Sequence, residues 1–165
     1  MNQDKPIECI NVKTNEVECV EGKYPVVGIN SLGPCIGLLI YVEKYKIAIV
    51  AHISDTIMWE TTIKNNINFL LEQYKVKNDS LKYLIITGYY ENKNLLDEIR
   101  KYITEELPKA KNFNQEKIPK NAIKTVLLNN GLGAREFAFN ASTGGFETGE
   151  INFIDSNQIN NKRHK

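Results

Sequence analysis

Two runs of seven residues, Ile36–Val42 and Ile47–Ile53, are almost entirely apolar and are separated by little more than Glu43-Lys44-Tyr45. Apolar runs this short, bounded by polar residues, read as strands buried on both faces. The interval between them leaves room only for a tight turn. Whatever else the chain does, it must fold around a buried antiparallel hairpin.

The flanking segments fill in the rest. Ile7 to Val12 and Val17 to Val20 surround Lys13-Thr14-Asn15-Glu16, the pattern of a short first hairpin with a polar turn. Tyr24 to Ile29 predicts a short strand entered at Pro25 near an edge, and Asn30 to Pro34 a loop. Ile63, Ile67, Leu70, Leu71 and Tyr74 share one helical stripe, with Asp55 placed to cap its start. Leu81 to Thr87 is a compact strand ending at Gly88. Leu95, Leu96, Ile99 and Ile103 mark a second amphipathic helix that stops near Pro108. Lys109 to Lys120 reads as loop, Ala122 to Leu128 as a strand, and Asn129 to Gly133 as a turn. Arg135 to Asn140 and Glu150 to Ile154 are expected as closing strands around a Gly144-Gly145 turn. Strands at both ends with two helices in the middle give an α+β class. A chain of 165 residues suits one domain that buries a core without disulfides or metals. Its core is expected over about 24–154, after the N-terminal hairpin, with Lys162-Arg163-His164-Lys165 as a disordered basic tail.

The central hairpin brings chemistry with it. With Glu43-Lys44 as a two-residue turn, Val42 faces Tyr45, and the register runs on to set Cys35 opposite His52 at the open end, on one face. A four-residue turn is expected to preserve this register, whereas a three-residue turn sends the two side chains to opposite faces. The same register stacks Ile36 with Ala51, Leu38 with Ile49 and Ile40 with Ile47 on the other face. On the Cys35–His52 face it sets Gly37 against Val50 and Leu39 against Ala48, small residues that leave room beside the thiol. An imidazole next to a thiol can take its proton, and the thiolate can attack an amide carbon. The Cys35 backbone N–H is a candidate donor to the resulting oxyanion, since Pro34 has none to offer.

Composition narrows the alternatives. A formal net charge of +1 carries no basic excess for a broad nucleic-acid or anionic-membrane surface. No apolar run approaches a membrane span, and Met1 to Pro6 is polar, without a signal-peptide core. Cys9, Cys19 and Cys35 are an odd number that cannot all pair within one chain, which favours a reducing, cytoplasmic place of action. Their spacing does not resemble a zinc site and only two histidines are present, so neither metal nor other cofactor is expected.

The segment Ser31-Leu32-Gly33-Pro34-Cys35-Ile36-Gly37-Leu38-Leu39-Ile40-Tyr41 resembles the Leu-Gly-Ser-Cys region of the CheD family of chemoreceptor glutamine deamidases. Ala48-Ile49-Val50-Ala51-His52 resembles that family's Gly-Gly-x-x-His strand, at the same Cys-to-His interval. Leu84 to Gly88 and Gly131 to Gly145 resemble its later strands and Gly-rich closing turn. His52-Ile53-Ser54-Asp55-Thr56, Tyr83 to Leu96 and Phe137 to Gly144 are also similar to segments of protein N-terminal asparagine amidohydrolases. Together the similarities cover most of residues 24–154. Both families share a fold with the catalytic domains of cytotoxic necrotizing factors. The resemblance therefore implies a mixed β-sandwich-like core with flanking helices, Cys35 as nucleophile, His52 as base, and a protein substrate bearing the target amide.

The sequence departs from the CheD pattern where that family carries a threonine that orients the histidine: Ile29 stands there and cannot hydrogen-bond. Ser31, or a backbone carbonyl near Ile29, is the candidate substitute. Pro34 replaces the usual serine beside the nucleophile, and the methionine-leucine-proline run after the family's histidine is missing. These departures point away from chemotaxis and toward another protein target. They are compatible with a bacterial effector delivered into a host cell, although no secretion signal is recognisable. The expectation is a glutamine deamidase of proteins. The alternatives are an asparagine amidohydrolase and a catalytically inactive protein-binding member of the same fold.

Other residues have plainer readings. Asp55 is expected as a helix cap and Trp59 as a partly buried anchor. Gly131-Leu132-Gly133 is expected as a turn, lacking the third glycine of a dinucleotide site. Thr87-Gly88 ends a strand, Cys9 and Cys19 are inert hairpin residues, and His164 belongs to the tail.

Overall fold

A computed structural model describes residues 5–75, 81–87, 92–109, 123–127 and 136–158. The described strands are β1 (Ile7–Asn11), β2 (Val17–Val20), β3 (Val26–Ile29), β4 (Ile36–Val42), β5 (Ile47–Ile53), β6 (Leu81–Thr87), β7 (Ile123–Leu127), β8 (Phe137–Asn140), β9 (Gly145–Phe146) and β10 (Ile151–Ile154). They form two mixed five-stranded sheets, ordered β10-β1-β3-β8-β9 and β2-β5-β4-β6-β7. Two longer helical segments are described beside the sheets, so the class is α+β, as the order of elements predicts. The first runs through α1 (Thr56–Met58), a π-helical turn at Trp59–Ile63, and α2 (Lys64–Gln73). The second runs through α3 (Lys93–Lys101), a π-helical turn at Tyr102–Glu106, and a 3-10 turn at Leu107–Lys109 that accommodates Pro108.

Apolar periodicity explains the layering. Strands β4 and β5 are buried on every residue because both of their faces are covered. One face, with Ile36, Leu38, Ile40, Ile47, Ile49 and Ile53, packs under the helices. The helices reach it through Trp59, Ile63, Ile67 and Leu71 on one side and Leu95, Leu96, Ile99 and Tyr102 on the other. Each large apolar side chain so buried contributes about 1.5–3 kcal/mol. The other face, with Cys35, Leu39, Tyr41, Ala48 and Val50, packs against Val27, Ile29, Phe137 and Phe139 of the second sheet. Asp55 caps the first helical segment, its Oδ1 accepting the Met58 N–H at 2.8 Å. Asn92 caps the second in the same way, accepting from Leu95 N–H at 3.1 Å.

Two expectations about strand pairing are corrected. The first hairpin does not form: β1 pairs in parallel with β10 and β3, whereas β2 pairs antiparallel with β5 in the other sheet. The polar Lys13–Glu16 stretch is thus a corner between sheets rather than a hairpin turn, and the N-terminal strands belong to the core. The central register is also shifted. Glu43–Tyr45 makes a 3-10 turn closed by Lys46 at φ 56°, so four residues separate the strands and Val42 pairs with Ile47. This keeps every side chain on its expected face but moves each pairing by two. Gly37 lies opposite His52, Leu39 opposite Val50, Ile36 opposite Ile53, Leu38 opposite Ala51 and Ile40 opposite Ile49. A four-residue turn preserves the face, not the partners.

The closing strands also sort differently, with β8 beside β3 and β9, and β10 beside β1. Gly88, the 110–120 loop, the 129–133 turn with its Gly131-Leu132-Gly133, and the tail with His164 lie outside the described residues.

Candidate active site

His52 sits at the end of β5, where the strand runs between β4 and the corner linking β1 to β2. Its backbone is gripped by that corner: Asn15 N–H donates to the His52 carbonyl at 2.6 Å, and His52 N–H donates to the Glu16 carbonyl at 3.1 Å. The side chain is gripped too. Nδ1 lies 2.9 Å from the Val12 carbonyl oxygen. A carbonyl can only accept, so Nδ1 carries the proton and Nε2 presents its lone pair in the neutral ring. Val12 is itself tied to the neighbouring strand, donating its N–H to the Gly28 carbonyl at 2.8 Å.

His52 is 4% exposed, and Nε2 has no hydrogen-bond partner. Burial lowers its pKa from the ordinary 6.5, opposed by the bond to Val12, so the resting ring is neutral.

Cys35 lies just before β4 at the exit of a turn in which its own N–H donates to the Leu32 carbonyl at 3.0 Å. Gly33 supplies the turn's left-handed residue, at φ +55°. The thiol is 9% exposed, between exposed Pro34 and the inter-sheet core. Burial raises its pKa above the ordinary 9.0, and the nearby Asp55 carboxylate adds to the rise. That carboxylate is held by its capping bond, and the Ser54 hydroxyl lies 3.1 Å from its other oxygen. The same hydroxyl lies 3.0 Å from Asn15 Oδ1, so it donates to one or the other.

The structure brings Cys35 and His52 to one face of the sheet, but as diagonal rather than directly opposed residues. Diagonal positions have Cα atoms about 7–8 Å apart, within reach of long side chains. The thiol is not hydrogen-bonded to Nε2 at rest. Gly37 lies opposite His52, and the space above it is filled from the other sheet: a Cβ there would meet Ile29 Cδ1 and Phe137 Cε1, each at 3.3 Å. The room expected beside the thiol on this side is therefore occupied, and the exposed side of Cys35 is the loop through Ser31 and Pro34.

The orienting group differs from both candidates. Ser31 is exposed and bonds to nothing described in the site, and Ile29 reaches the site only as an apolar packing group. A backbone carbonyl does hold the imidazole, but it is Val12's, delivered by the β1–β2 corner. Sequence reasoning missed that corner because its residues look like an isolated turn. Asn15, a residue type that tolerates the left-handed region and sits there at φ 63°, was its one visible signal.

The expected oxyanion donor is also committed elsewhere, since the Cys35 N–H is spent on Leu32 in the resting turn. Thr87 pairs with Ile36 and points to the helical face, away from the thiol. Trp59 is fully rather than partly buried, packed edge-on against Tyr102 at 5.2 Å. Cys9 is buried in the outer face of its sheet, its thiol pushed up to about 12 by burial and then by Glu136.

No family model matches the chain, and no curated protein matches it with significance. Among the described residues, no three His, Cys, Asp or Glu side chains converge to hold a metal ion, and no helix is long and apolar enough to cross a membrane.

Proposed function

We propose that the chain is a cysteine-dependent amidohydrolase that converts a glutamine side chain of a protein substrate to glutamate. One observation carries this reading. The Val12 carbonyl fixes the His52 tautomer, which leaves an unpartnered, buried Nε2 on the same sheet face as the Cys35 thiol. A buried acceptor without a donor costs about 1–3 kcal/mol, and sites that use such an acceptor explain its retention. The resemblance of the Cys35 and His52 segments to glutamine deamidases supplies the reaction class.

In the proposed reaction, Cys35 Sγ bonds to the substrate's amide carbon as its proton passes to His52 Nε2. The tetrahedral intermediate then breaks its C–N bond, and ammonia leaves with the proton from His52. Water, deprotonated by the same Nε2, opens the thioester to release glutamate and restore the thiol. Ammonia release and mass spectrometry of protein lysates treated with the wild-type chain or Cys35→Ala test this directly. The wild type should convert an amide to an acid at a defined site. Cys35→Ala should lose about a million-fold in rate while keeping its fold. Conversion of asparagine instead would leave the nucleophile in place and change the substrate. Equal conversion by both proteins would end the cysteine mechanism.

A second reading is a member of the same fold that binds a protein without turnover. The absent hydrogen bond between thiol and imidazole favours it. Stable capture of a lysate protein by the wild type, with no ammonia released, would select that reading.

A further inference from the structure

At the far end of β4 from Cys35, the two sheets part around a groove of about 550 Å³. Its floor is Leu39, Tyr41 and Leu84, and its wall is Phe139 and Phe146. The wall is built rather than incidental. The Tyr41 hydroxyl donates to the Ala141 carbonyl at 2.7 Å, and its ring meets Phe139 edge-on at 5.0 Å. Phe139 in turn meets Phe146 at 5.3 Å. The turn leading to Phe146 is tied by Gly144 N–H to the Asn140 carbonyl at 2.8 Å and by Gly145 N–H to Thr143 Oγ1 at 3.3 Å. Gly144, at φ +75°, presses on Tyr41 so closely that a Cβ would lie 3.2 Å from its ring. These contacts hold the Phe146 ring 45% exposed at the groove's edge instead of letting it fold away.

The rim is cationic. Among the described residues that line the groove, Lys46, Lys82 and Lys124 stand against one acid, Glu43. Glu43 is paired with Lys82 at 2.5 Å, and Lys46 and Lys124 have no salt bridge among the described residues. A preorganised aromatic wall under a rim whose described charges are three lysines and one glutamate matches an extended peptide that alternates acidic and apolar residues. In such a peptide the apolar side chains point one way, into the groove, and the acidic ones point to the rim.

We infer that this groove is a docking site for an acidic-apolar segment of the substrate protein. The inference rests on the proposed function for the word substrate. Tyr41 lies six residue steps along the chain from Cys35, about 20 Å at strand rise. A docked substrate therefore needs about six extended residues to carry its amide to the thiol.

Binding is testable without turnover, in the full chain carrying Cys35→Ala. The probe is a fluorescein-labelled peptide, Glu-Leu-Glu-Phe-Glu-Leu-Glu, with its lysine counterpart as control, read by fluorescence anisotropy. The acidic peptide should bind, weaken with added salt, and lose about tenfold in affinity when Lys46→Glu and Lys124→Glu are combined. Phe146→Ala should also weaken it. All three altered side chains are exposed, so unchanged circular dichroism is expected. Equal binding of both peptides, indifference to the charge reversals, or self-association of the chain through this face would overturn the inference. Docking of the acidic peptide by a wild-type chain that releases no ammonia from protein substrates would refute the proposed reaction and leave the docking site standing.

Discussion

Gly37 gives the most direct check on the arrangement around His52. A methyl group added there would lie 3.3 Å from Ile29 Cδ1, 3.3 Å from Phe137 Cε1 and 3.6 Å from Ile86 Cβ. Two of these contacts are tight enough that the neighbours must retreat by a few tenths of an ångström, against a second sheet packed behind them. Overpacking of this kind costs about 1–3 kcal/mol. Replacing glycine also restricts the unfolded chain, which offsets about 0.4–1 kcal/mol. Gly37→Ala should therefore destabilise the fold by about 1 kcal/mol, lowering Tm by about 2–4 °C for a chain this long. Ile29→Val removes the Cδ1 in question and alone should cost about 0.5–1.5 kcal/mol. In the double variant the two losses should overlap, leaving the sum short by at least about 0.5 kcal/mol. Urea unfolding followed by Trp59 fluorescence suits the measurement, since Trp59 is the single tryptophan and fully buried. Strict additivity, or a Gly37→Ala protein more stable than wild type, would show that Ile29 does not press on the strand opposite His52.

Asn15→Ala removes the acceptor of the Ser54 N–H and strains the corner at φ 63°, whereas Asn15→Gly removes only the acceptor. Alanine should be the worse by about 1 kcal/mol in urea midpoints, and equal losses would deny the backbone its role. Because burial holds the His52 pKa below the ordinary 6.5, the unfolded chain takes up the proton first on acidification. The stability contributed by the neutral ring is complete above that value and is lost as pH falls through the folded pKa. His52→Gln should flatten the decline in stability from about pH 7 to pH 5, and an unchanged decline would assign it to other groups. Because burial and then Asp55 hold the Cys35 thiol above 9.0, iodoacetamide should modify it slowly at neutral pH and faster in Asp55→Asn. Rapid labelling of Cys35 near pH 6.5, resolved by peptide mass spectrometry, would reveal a resting thiolate that the structure does not support.

The parts of the fold legible in the sequence are those set by local periodicity. Ile36–Val42 and Ile47–Ile53 are strands to the residue because seven apolar positions end at polar ones on each side. Asp55 caps its helix because a carboxylate three residues before a backbone N–H needs no distant partner. What could not be read was long-range. Lys13–Glu16 has turn chemistry, and turn chemistry is the same whether the chain doubles back on its own sheet or crosses to another. The turn length between β4 and β5 was equally hidden, because Tyr45 and Lys46 can extend a strand or finish a 3-10 turn. That single choice decides whether Cys35 faces His52 squarely or obliquely. The orienting carbonyl of Val12 has no side-chain signature of its own, since every residue supplies the same backbone atom and only its place in the fold selects it.

The oblique placement and the two pKa shifts constrain the chemistry together. A resting thiolate–imidazolium pair needs Cys35 shifted down and His52 shifted up by their mutual attraction. Burial instead raises the thiol and lowers the imidazole, and no hydrogen bond joins them. The resting site therefore stores a neutral thiol and a neutral base, each in the protonation state its surroundings favour. In the proposed reaction such a pair would act by moving the proton during attack, when the developing charge on the amide oxygen compensates the charge separation. If the proposed reaction uses the Cys35 N–H as an oxyanion donor, the Leu32 turn must first release it, which would require substrate binding to alter the Ser31–Pro34 loop. A protein side chain that docks over this loop can supply that change. A free amide such as glutamine, with fewer contacts to offer, should be turned over far more slowly than the same group on a docked polypeptide.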